Sequence, residues 1–122
     1  MTLLFTIAAA VTASCTPNPS LSGAGPERVR AYFAAINARD EAAIGRFLAP
    51  GATYHNPQVS GMALSAVMDM LLAAPDAMQL EVVGVTDQGG EIQVRTRASD
   101  GTPGAARVTL EGGCIRTFFQ TQ

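Results

Sequence analysis

Two runs of apolar residues at helical spacing lie between Pro26 and Leu48, and they limit the folds open to this chain more than any other feature. The first run has apolar residues at i, i+3, i+4 and i+7, namely Val29, Tyr32, Phe33 and Ile36. The second repeats the spacing at Ile44, Phe47 and Leu48. Such stripes are typical of amphipathic helices that bury one face. Two helices are therefore predicted, near residues 26–38 and 40–49, with Pro26 in the first turn.

The junction between the two runs carries polar residues that favour the end of one helix and the start of the next. Asn37 and Asp40 can hydrogen-bond their own backbone and so compete with the helix. Asp40 is also a suitable N-cap for a helix that continues through Leu48. Ala38 and Arg39 are helix formers, so a single kinked helix is the alternative.

The sequence after Pro50-Gly51 predicts a short strand and then a third helix. Pro-Gly ends helical structure, and residues 52–55 are partly β-prone. The third helix is predicted near residues 62–73, because apolar residues recur there at helical spacing and a proline follows. Its apolar positions are Leu64, Val67, Met68, Leu71 and Leu72.

Apolar and polar residues alternate from Met78 onward, which is typical of strands with one buried face. The phase breaks at Gly84, as a β-bulge would break it. Turns are predicted at residues 87–90, 99–104 and 112–113, where glycine is frequent. Four consecutive antiparallel strands are therefore predicted between Met78 and the end of the chain.

The composition is that of one ordinary globular domain. The chain has 122 residues, a net charge of −2 and 15% charged residues, so there is no electrostatic basis for binding nucleic acid. One His and two separated Cys cannot form a metal-ligand cluster or a nucleophile motif. No metal site and no cofactor are predicted.

The segment YFAAINARDEAAIGRFLAPGATYHNP resembles the start of the nuclear transport factor 2-like superfamily, which includes ketosteroid isomerases, scytalone dehydratase and SnoaL-like polyketide cyclases. The resemblance lies in the order of helix, Asn-x-x-Asp, helix, Ala-Pro-Gly-Ala and the residue before Pro57, and it extends more weakly to Phe119. It implies a cystatin-like α+β cone, with three N-terminal helices packed on a curved antiparallel sheet of four strands or slightly more. This fold hosts enzymes, ligand binders and interaction modules alike, so it implies no single function.

The resemblance also locates a pocket. In the isomerases a Tyr on the first helix and an acidic residue on a late strand donate hydrogen bonds to a developing enolate oxygen, and an Asp before the proline of the first strand carries the proton. Tyr32 matches that Tyr, whereas Asn56 stands at the place of the basic Asp and Ala106 at that of the acidic donor. A neutral amide does not accept a proton at a useful rate, so this isomerase mechanism is not expected.

Strand alternation predicts that Tyr54 and Asn56 point into the cone and that His55 points outward. A bulge before Pro57 would instead bring His55 inward, where it would be the candidate general base. Tyr32 is the other candidate for catalysis, although a tyrosine on a helix stripe also commonly buries its ring and bonds one acceptor. The predicted ligand-binding residues are Tyr32, Tyr54, Asn56 and Met68.

The N-terminal residues predict export. The apolar run from Leu3 to Val11 is too short to span a bilayer, and small residues and Cys15 follow it, so residues 1–14 are predicted to be a signal peptide. The sequence Thr12-Ala13-Ser14-Cys15 resembles a bacterial lipobox, which implies lipidation of Cys15. Signal peptidase cleavage after Ala13 is the alternative.

Residues 15–25, rich in Ser, Pro and Gly, are predicted to be a flexible tether that makes few contacts with a domain spanning residues 26–122. A disulfide between Cys15 and Cys114 is open to an exported protein, but lipidation of Cys15 would prevent it. Cys114 lies in a predicted strand without a nearby His or Lys that would lower the pKa of its thiol, so it is interpreted as a small apolar residue of the sheet.

The sequence thus favours an exported, lipid-anchored domain that binds a small apolar molecule or serves an accessory role, with membrane contact only through Cys15. A SnoaL-like cyclase, isomerase or hydratase is one alternative. A structural homodimer that pairs through the sheet is another. A carboxylate that points into the cavity would favour the enzyme, and a cavity filled by side chains would favour the dimer.

Overall fold

The computed structural model describes residues 10–74 and 79–121, so the predicted strand start at Met78 and most of the predicted signal peptide lie outside the described residues. Within these ranges the chain forms an α+β fold of three α-helices and one six-stranded sheet. The helices are α1 (Gly25–Asn37), α2 (Glu41–Phe47) and α3 (Leu64–Ala73). The strands are β1 (Leu48–His55), β2 (Ser60–Ala63), β3 (Leu80–Asp87), β4 (Glu91–Ala98), β5 (Pro103–Glu111) and β6 (Cys114–Gln120).

The strand order is β2-β1-β6-β5-β4-β3. β1 and β6 are parallel, and every other neighbouring pair is antiparallel. The prediction of four strands was therefore too low. The short strand expected at residues 52–55 begins at Leu48, and β2 was not predicted because Ser-Gly-Met-Ala has no alternation of its own. Pairing with β1 makes this segment a strand.

Two separate helices form at the first junction, and the single kinked helix is excluded. Arg39 has a φ of 56°, a left-handed conformation that an α-helix cannot contain. The side chain of Asp40 then accepts a hydrogen bond from the backbone N–H of Ala43 at 3.1 Å, as an N-cap does. α2 ends two residues earlier than predicted because Leu48 already has extended backbone angles.

The core lies between the helices and one face of the sheet. The helix stripes supply Val29, Tyr32 and Ile36, which are all nearly inaccessible to solvent. Alternation along β4 and β5 supplies Ile92 and Val108 from the sheet, opposite each other in register. The predicted bulge in β3 is confirmed, since the register with β4 shifts between Val82 and Gly84.

The segment of residues 11–24, called the strap below, differs most from the prediction. Residues 11–14 were expected to belong to a signal peptide and residues 15–24 to a tether with few contacts, yet Val11 and Cys15 are buried. The Cys15 N–H donates to the Leu48 carbonyl at 2.9 Å. A composition of Ser, Pro and Gly indicates little regular structure, but it does not prevent backbone hydrogen bonds to a neighbouring element.

Cys15 and Cys114 form a disulfide, with a Cα–Cα distance of 5.7 Å. Cys114 is therefore not simply an apolar residue of the sheet. The finding also bears on the predicted lipid anchor, because a thioether at Cys15 and this disulfide use the same sulfur and exclude each other.

No helix among residues 10–74 and 79–121 is both long enough and apolar enough to cross a membrane.

Candidate ligand cavity

A cavity of about 330 Å³ lies at the end of the sheet where β6 ends and β5 begins. Ala106 and Gln120 face each other in register at this end, whereas Glu111 and Cys114 face each other at the opposite end. The volume is at the lower end of the range of ligand pockets, roughly 300–1,000 Å³. The described residues that line it are Phe33, Leu80, Thr96, Ala98, Thr102, Pro103, Gly104, Ala105, Ala106, Phe118 and Gln120.

The cavity wall is mostly apolar. The rings of Phe33 and Phe118 lie 6.2 Å apart and tilted by 52°, an arrangement that aromatic pairs favour. Three lining residues carry neutral polar side chains, namely Thr96, Thr102 and Gln120. None of the described lining residues is ionisable. These groups are able to orient a neutral molecule by hydrogen bonds, but they do not include a proton carrier for neutral pH.

Tyr32 and Met68, two of the predicted ligand-binding residues, are brought together by the fold but lie in the core. The Tyr32 hydroxyl donates to the Met68 sulfur at 3.1 Å, and the tyrosine is completely buried. Burial raises the pKa of Tyr32 well above its ordinary value because it penalises the phenolate. Neither residue is among those that line the cavity. The hydroxyl is therefore a neutral core group with a weak acceptor as its partner.

Tyr54 and Asn56 lie beside the cavity and contact it through Gln120. The Tyr54 hydroxyl donates to Gln120 Oε1 at 2.5 Å and accepts from Asn56 Nδ2 at 3.3 Å. The Tyr54 ring stacks on Phe118 with 6.0 Å between centroids. Gln120 was not predicted, although it lies two residues after Phe118 and so on the same face of β6.

Asn56 also shapes the turn between β1 and β2. Its Oδ1 accepts hydrogen bonds from the backbone N–H groups of Gln58 at 2.8 Å and Val59 at 2.7 Å. An asparagine that bonds the backbone two and three residues ahead is typical of a tight turn. The Asn56 side chain therefore stabilises the turn, at the position where the isomerases have their catalytic base.

His55 lies on the face of the sheet opposite the helices, called the outer face below. Its ring stacks on Phe119 at a centroid distance of 4.4 Å, and the Arg107 guanidinium lies 5.1 Å from the centroid of that phenylalanine. His55 Nδ1 accepts from the Gly61 N–H at 3.1 Å, so the other ring nitrogen carries the proton and donates to Thr53 Oγ1 at 3.0 Å.

The outward direction of His55 is the one that strand alternation predicts. The β1–β2 register does shift between Tyr54 and His55, yet this irregularity does not turn the imidazole inward. His55 is therefore not in a position to act as a base within the cavity.

No group of three His, Cys, Asp or Glu side chains that would hold a metal ion occurs in the described parts of the chain.

With this geometry the family is clear: the chain belongs to the SnoaL-like domain family, whose model matches residues 29–120. Its fold is the cystatin-like fold of the nuclear transport factor 2-like proteins, as the resemblance implied. No curated protein matches the chain.

Solved structures with the same fold come from several bacteria. A cystatin-fold protein from Novosphingobium aromaticivorans is 17% identical with a TM-score of 0.66, covering 80% of this chain and 97% of its own. A candidate ketosteroid isomerase from Kribbella flavida is 19% identical with a TM-score of 0.68, covering 83% and 78%. A candidate polyketide cyclase from Sinorhizobium meliloti is 22% identical with a TM-score of 0.66, covering 81% and 97%. At these identities the likeness shows the fold alone.

Proposed function

We propose that this SnoaL-like domain binds a small, neutral and largely apolar molecule in its cavity, without acid–base catalysis. One observation carries the proposal: the described residues that line the cavity offer apolar walls and three neutral polar side chains, and no ionisable group. A cavity of about 330 Å³ is also not filled by side chains, which argues against a purely structural role. A molecule with one or two carbonyl or hydroxyl groups suits Thr96, Thr102 and Gln120.

The alternative, a SnoaL-like cyclase, isomerase or hydratase, requires a base and donors that face the substrate. Ala106 presents only a methyl group to the cavity, and the Tyr32 hydroxyl is bonded to Met68 within the core. The single histidine of the chain, His55, packs on the outer face. These positions favour binding over turnover.

We further propose that the domain works outside the cytoplasm. The apolar N-terminal run supports export, and a disulfide persists where thiols are oxidised. Anchoring through a lipid at Cys15 is not retained, because the sulfur of that residue is bonded to Cys114. Pairing of two copies through the outer face of the sheet stays a prediction.

Binding of a neutral fluorescent naphthylamine, N-phenyl-1-naphthylamine, tests the proposal. Wild-type protein is expected to raise the probe's fluorescence in a saturable manner. Ala106→Phe, which fills the cavity, is expected to weaken binding by about tenfold or more, an energy of about 1.4 kcal/mol. Ala34→Phe adds the same ring on an exposed position of α1 and is the matched control.

Circular dichroism establishes that both variants are folded. Equal affinity in the two variants would place the probe elsewhere and contradict the proposal. Saturable turnover of a neutral ketone substrate by the wild-type protein would favour the enzyme instead.

A further inference from the structure

The strap lies in a groove that depends on glycine. A side chain at Gly45 would collide with the carbonyl oxygen of Thr12, and one at Gly112 would collide with the backbone nitrogen of Asn18. Gly45 lies inside α2, where alanine is intrinsically more favourable than glycine. The close approach of the strap therefore accounts for glycine at this helical position.

Backbone groups of the strap bond to several elements of the domain. The Val11 N–H donates to the Asp69 carboxylate of α3 at 2.7 Å. Three further N–H groups donate to backbone carbonyls, namely Ser14 to Gly45 at 3.0 Å, Cys15 to Leu48 at 2.9 Å and Asn18 to Gly112 at 2.9 Å. The strap is thus bonded to α2, α3, the start of β1 and the turn between β5 and β6.

The disulfide fastens the middle of this strap to the first residue of β6. Its two cysteines are 99 residues apart, and both are buried, together with Ala49. Arg28 lies over the site, because its Nε donates to the Gly113 carbonyl at 3.0 Å and its guanidinium lies 4.4 Å from the centroid of Phe47. The sulfurs are therefore largely shielded, and reduction is expected to be faster when the strap lifts.

We infer that the strap is an integral part of the domain, held by a redox-sensitive staple, and that Cys15 is one half of this staple rather than a lipid anchor. A signal peptide that leaves the strap intact must end before Val11, so cleavage at residue 13 or 14 is not retained. The disulfide forms by exchange with a donor disulfide in an oxidising compartment. An external dithiol reverses it: one thiolate attacks a cystine sulfur and displaces the other as a thiolate. The second thiol then resolves the mixed disulfide, which leaves two cysteines and an oxidised reductant.

The staple and the cavity are at opposite ends of β6, since Cys114 begins the strand and Gln120 ends it. Release of the strap is therefore expected to lower stability and to leave binding in the cavity unchanged. The inference does not rest on the proposed ligand.

The first test determines the state of Cys15 in exported protein. Mass spectrometry of non-reduced peptides is expected to find Cys15 and Cys114 in one linked species, which separates into two peptides after reduction. A lipid group on Cys15, or two free thiols in the exported protein, would overturn the inference.

The second test uses the full chain, oxidised in vitro. Amide hydrogen exchange at Ser14, Cys15 and Asn18 is expected to be slow in the oxidised protein and fast after treatment with dithiothreitol. Exchange that stays slow after complete reduction would show that the disulfide does not hold the strap.

Two glycine variants test whether the strap packs closely against α2, independently of the disulfide. Gly45→Ala is expected to lower the Tm of the oxidised protein by about 5 °C, because the new methyl group displaces Thr12. Gly23→Ala is the matched control, since a side chain there would meet no atom within 4 Å. After reduction the penalty of Gly45→Ala is expected to vanish or reverse, as alanine favours the helix. A Gly45→Ala protein that is as stable as wild type when oxidised would contradict the close packing of the strap against α2.

Discussion

The two ends of the sheet differ in the contacts that hold the chain there. At the strap end a disulfide, four backbone N–H donors of the strap and the stacked Arg28 fasten the chain. At the cavity end the described residues line a cavity of about 330 Å³. The side-chain hydrogen bonds beside it include the series from Asn56 to Tyr54 to Gln120 and the two bonds between Asn37 and the Leu80 backbone.

This difference suggests how a small domain accommodates a cavity. Apolar atoms that face an open cavity bury less surface than packed atoms do, so they contribute less to stability. A covalent link between distant residues offsets part of that cost by restricting the unfolded chain.

The largest expected effect comes from removing the staple. Cys15→Ala combined with Cys114→Ala is expected to lower the free energy of unfolding by about 4–5 kcal/mol, the loop entropy expected for closing roughly 100 residues. Urea unfolding measures the loss. Affinity for the neutral probe is expected to stay unchanged while the variant is folded. A parallel loss of affinity would show that the two ends are coupled and would break the comparison.

The second effect concerns chemistry at the cavity end. Asn56→Asp combined with Ala106→Asp restores both carboxylates of the isomerases, yet turnover of a Δ5-3-ketosteroid is expected to stay at the buffer rate. The Tyr32 hydroxyl is bonded to Met68 in the core, and each missing donor costs about 3 kcal/mol or roughly 100-fold in rate. Affinity for the neutral probe is expected to fall about tenfold, because the new carboxyl enters an apolar wall.

Asn56→Asp alone is the control for this experiment, because it restores only the carboxylate at position 56. That carboxylate still accepts hydrogen bonds from the backbone N–H groups of Gln58 and Val59. Wild-type turnover above the buffer rate that Tyr32→Phe abolishes would contradict the comparison.

A smaller effect is expected at the turn beside the cavity. Asn56→Ala removes the acceptor of two backbone N–H groups and is expected to cost about 1 kcal/mol of unfolding free energy. Faster amide exchange at Gln58 and Val59 would locate the loss. Asn56→Asp keeps the acceptor and is expected to retain most of the stability, so equal losses in the two variants would argue against the turn bonds.

The smallest effect at neutral pH is expected from Tyr32→Phe, which removes one bond to a weak sulfur acceptor and costs less than about 1 kcal/mol. The stability advantage of wild type over Tyr32→Phe shrinks at alkaline pH. Burial raises the pKa of folded Tyr32, so above the ordinary value of about 10 the unfolded chain releases its proton first. This contribution to stability is present below that pH and lost as the pH rises.

Unfolding free energies at about pH 8 and about pH 11 measure this change, the two values lying on either side of an ordinary tyrosine pKa. Wild type is expected to lose more stability than Tyr32→Phe between them. Tyr54→Phe is the matched control and is expected to lose as much as wild type, because Tyr32 is retained. An equal loss in all three proteins would assign the alkaline transition to other groups.

The sequence by itself determined the elements whose signal is local. The stripe of Val29, Phe33 and Ile36 makes α1 amphipathic wherever it packs. The side chain of Asp40, directly before α2, caps that helix by a local hydrogen bond. The phase break at Gly84 likewise required a bulge in β3. Strand alternation was enough to place Tyr54 and His55 on opposite faces. The resemblance to the isomerases also showed that Asn56 has an amide where those proteins have a carboxylate.

Only the tertiary structure decided the features that depend on distant partners. Ser60–Ala63 becomes a strand because β1 lies beside it. β1 pairs with β6 because the antiparallel strands β3 to β6 bring the end of the chain back beside it. Tyr32 matched the tyrosine of the isomerases in position, but the direction of its hydroxyl follows from where α3 places Met68. The sequence likewise did not determine whether Cys15 is lipidated or forms a disulfide. A lipobox-like sequence is local, whereas the disulfide requires a partner 99 residues away. Neighbouring residues determine helices, caps and bulges. The packing of distant segments determines which groups the side chains of those elements contact.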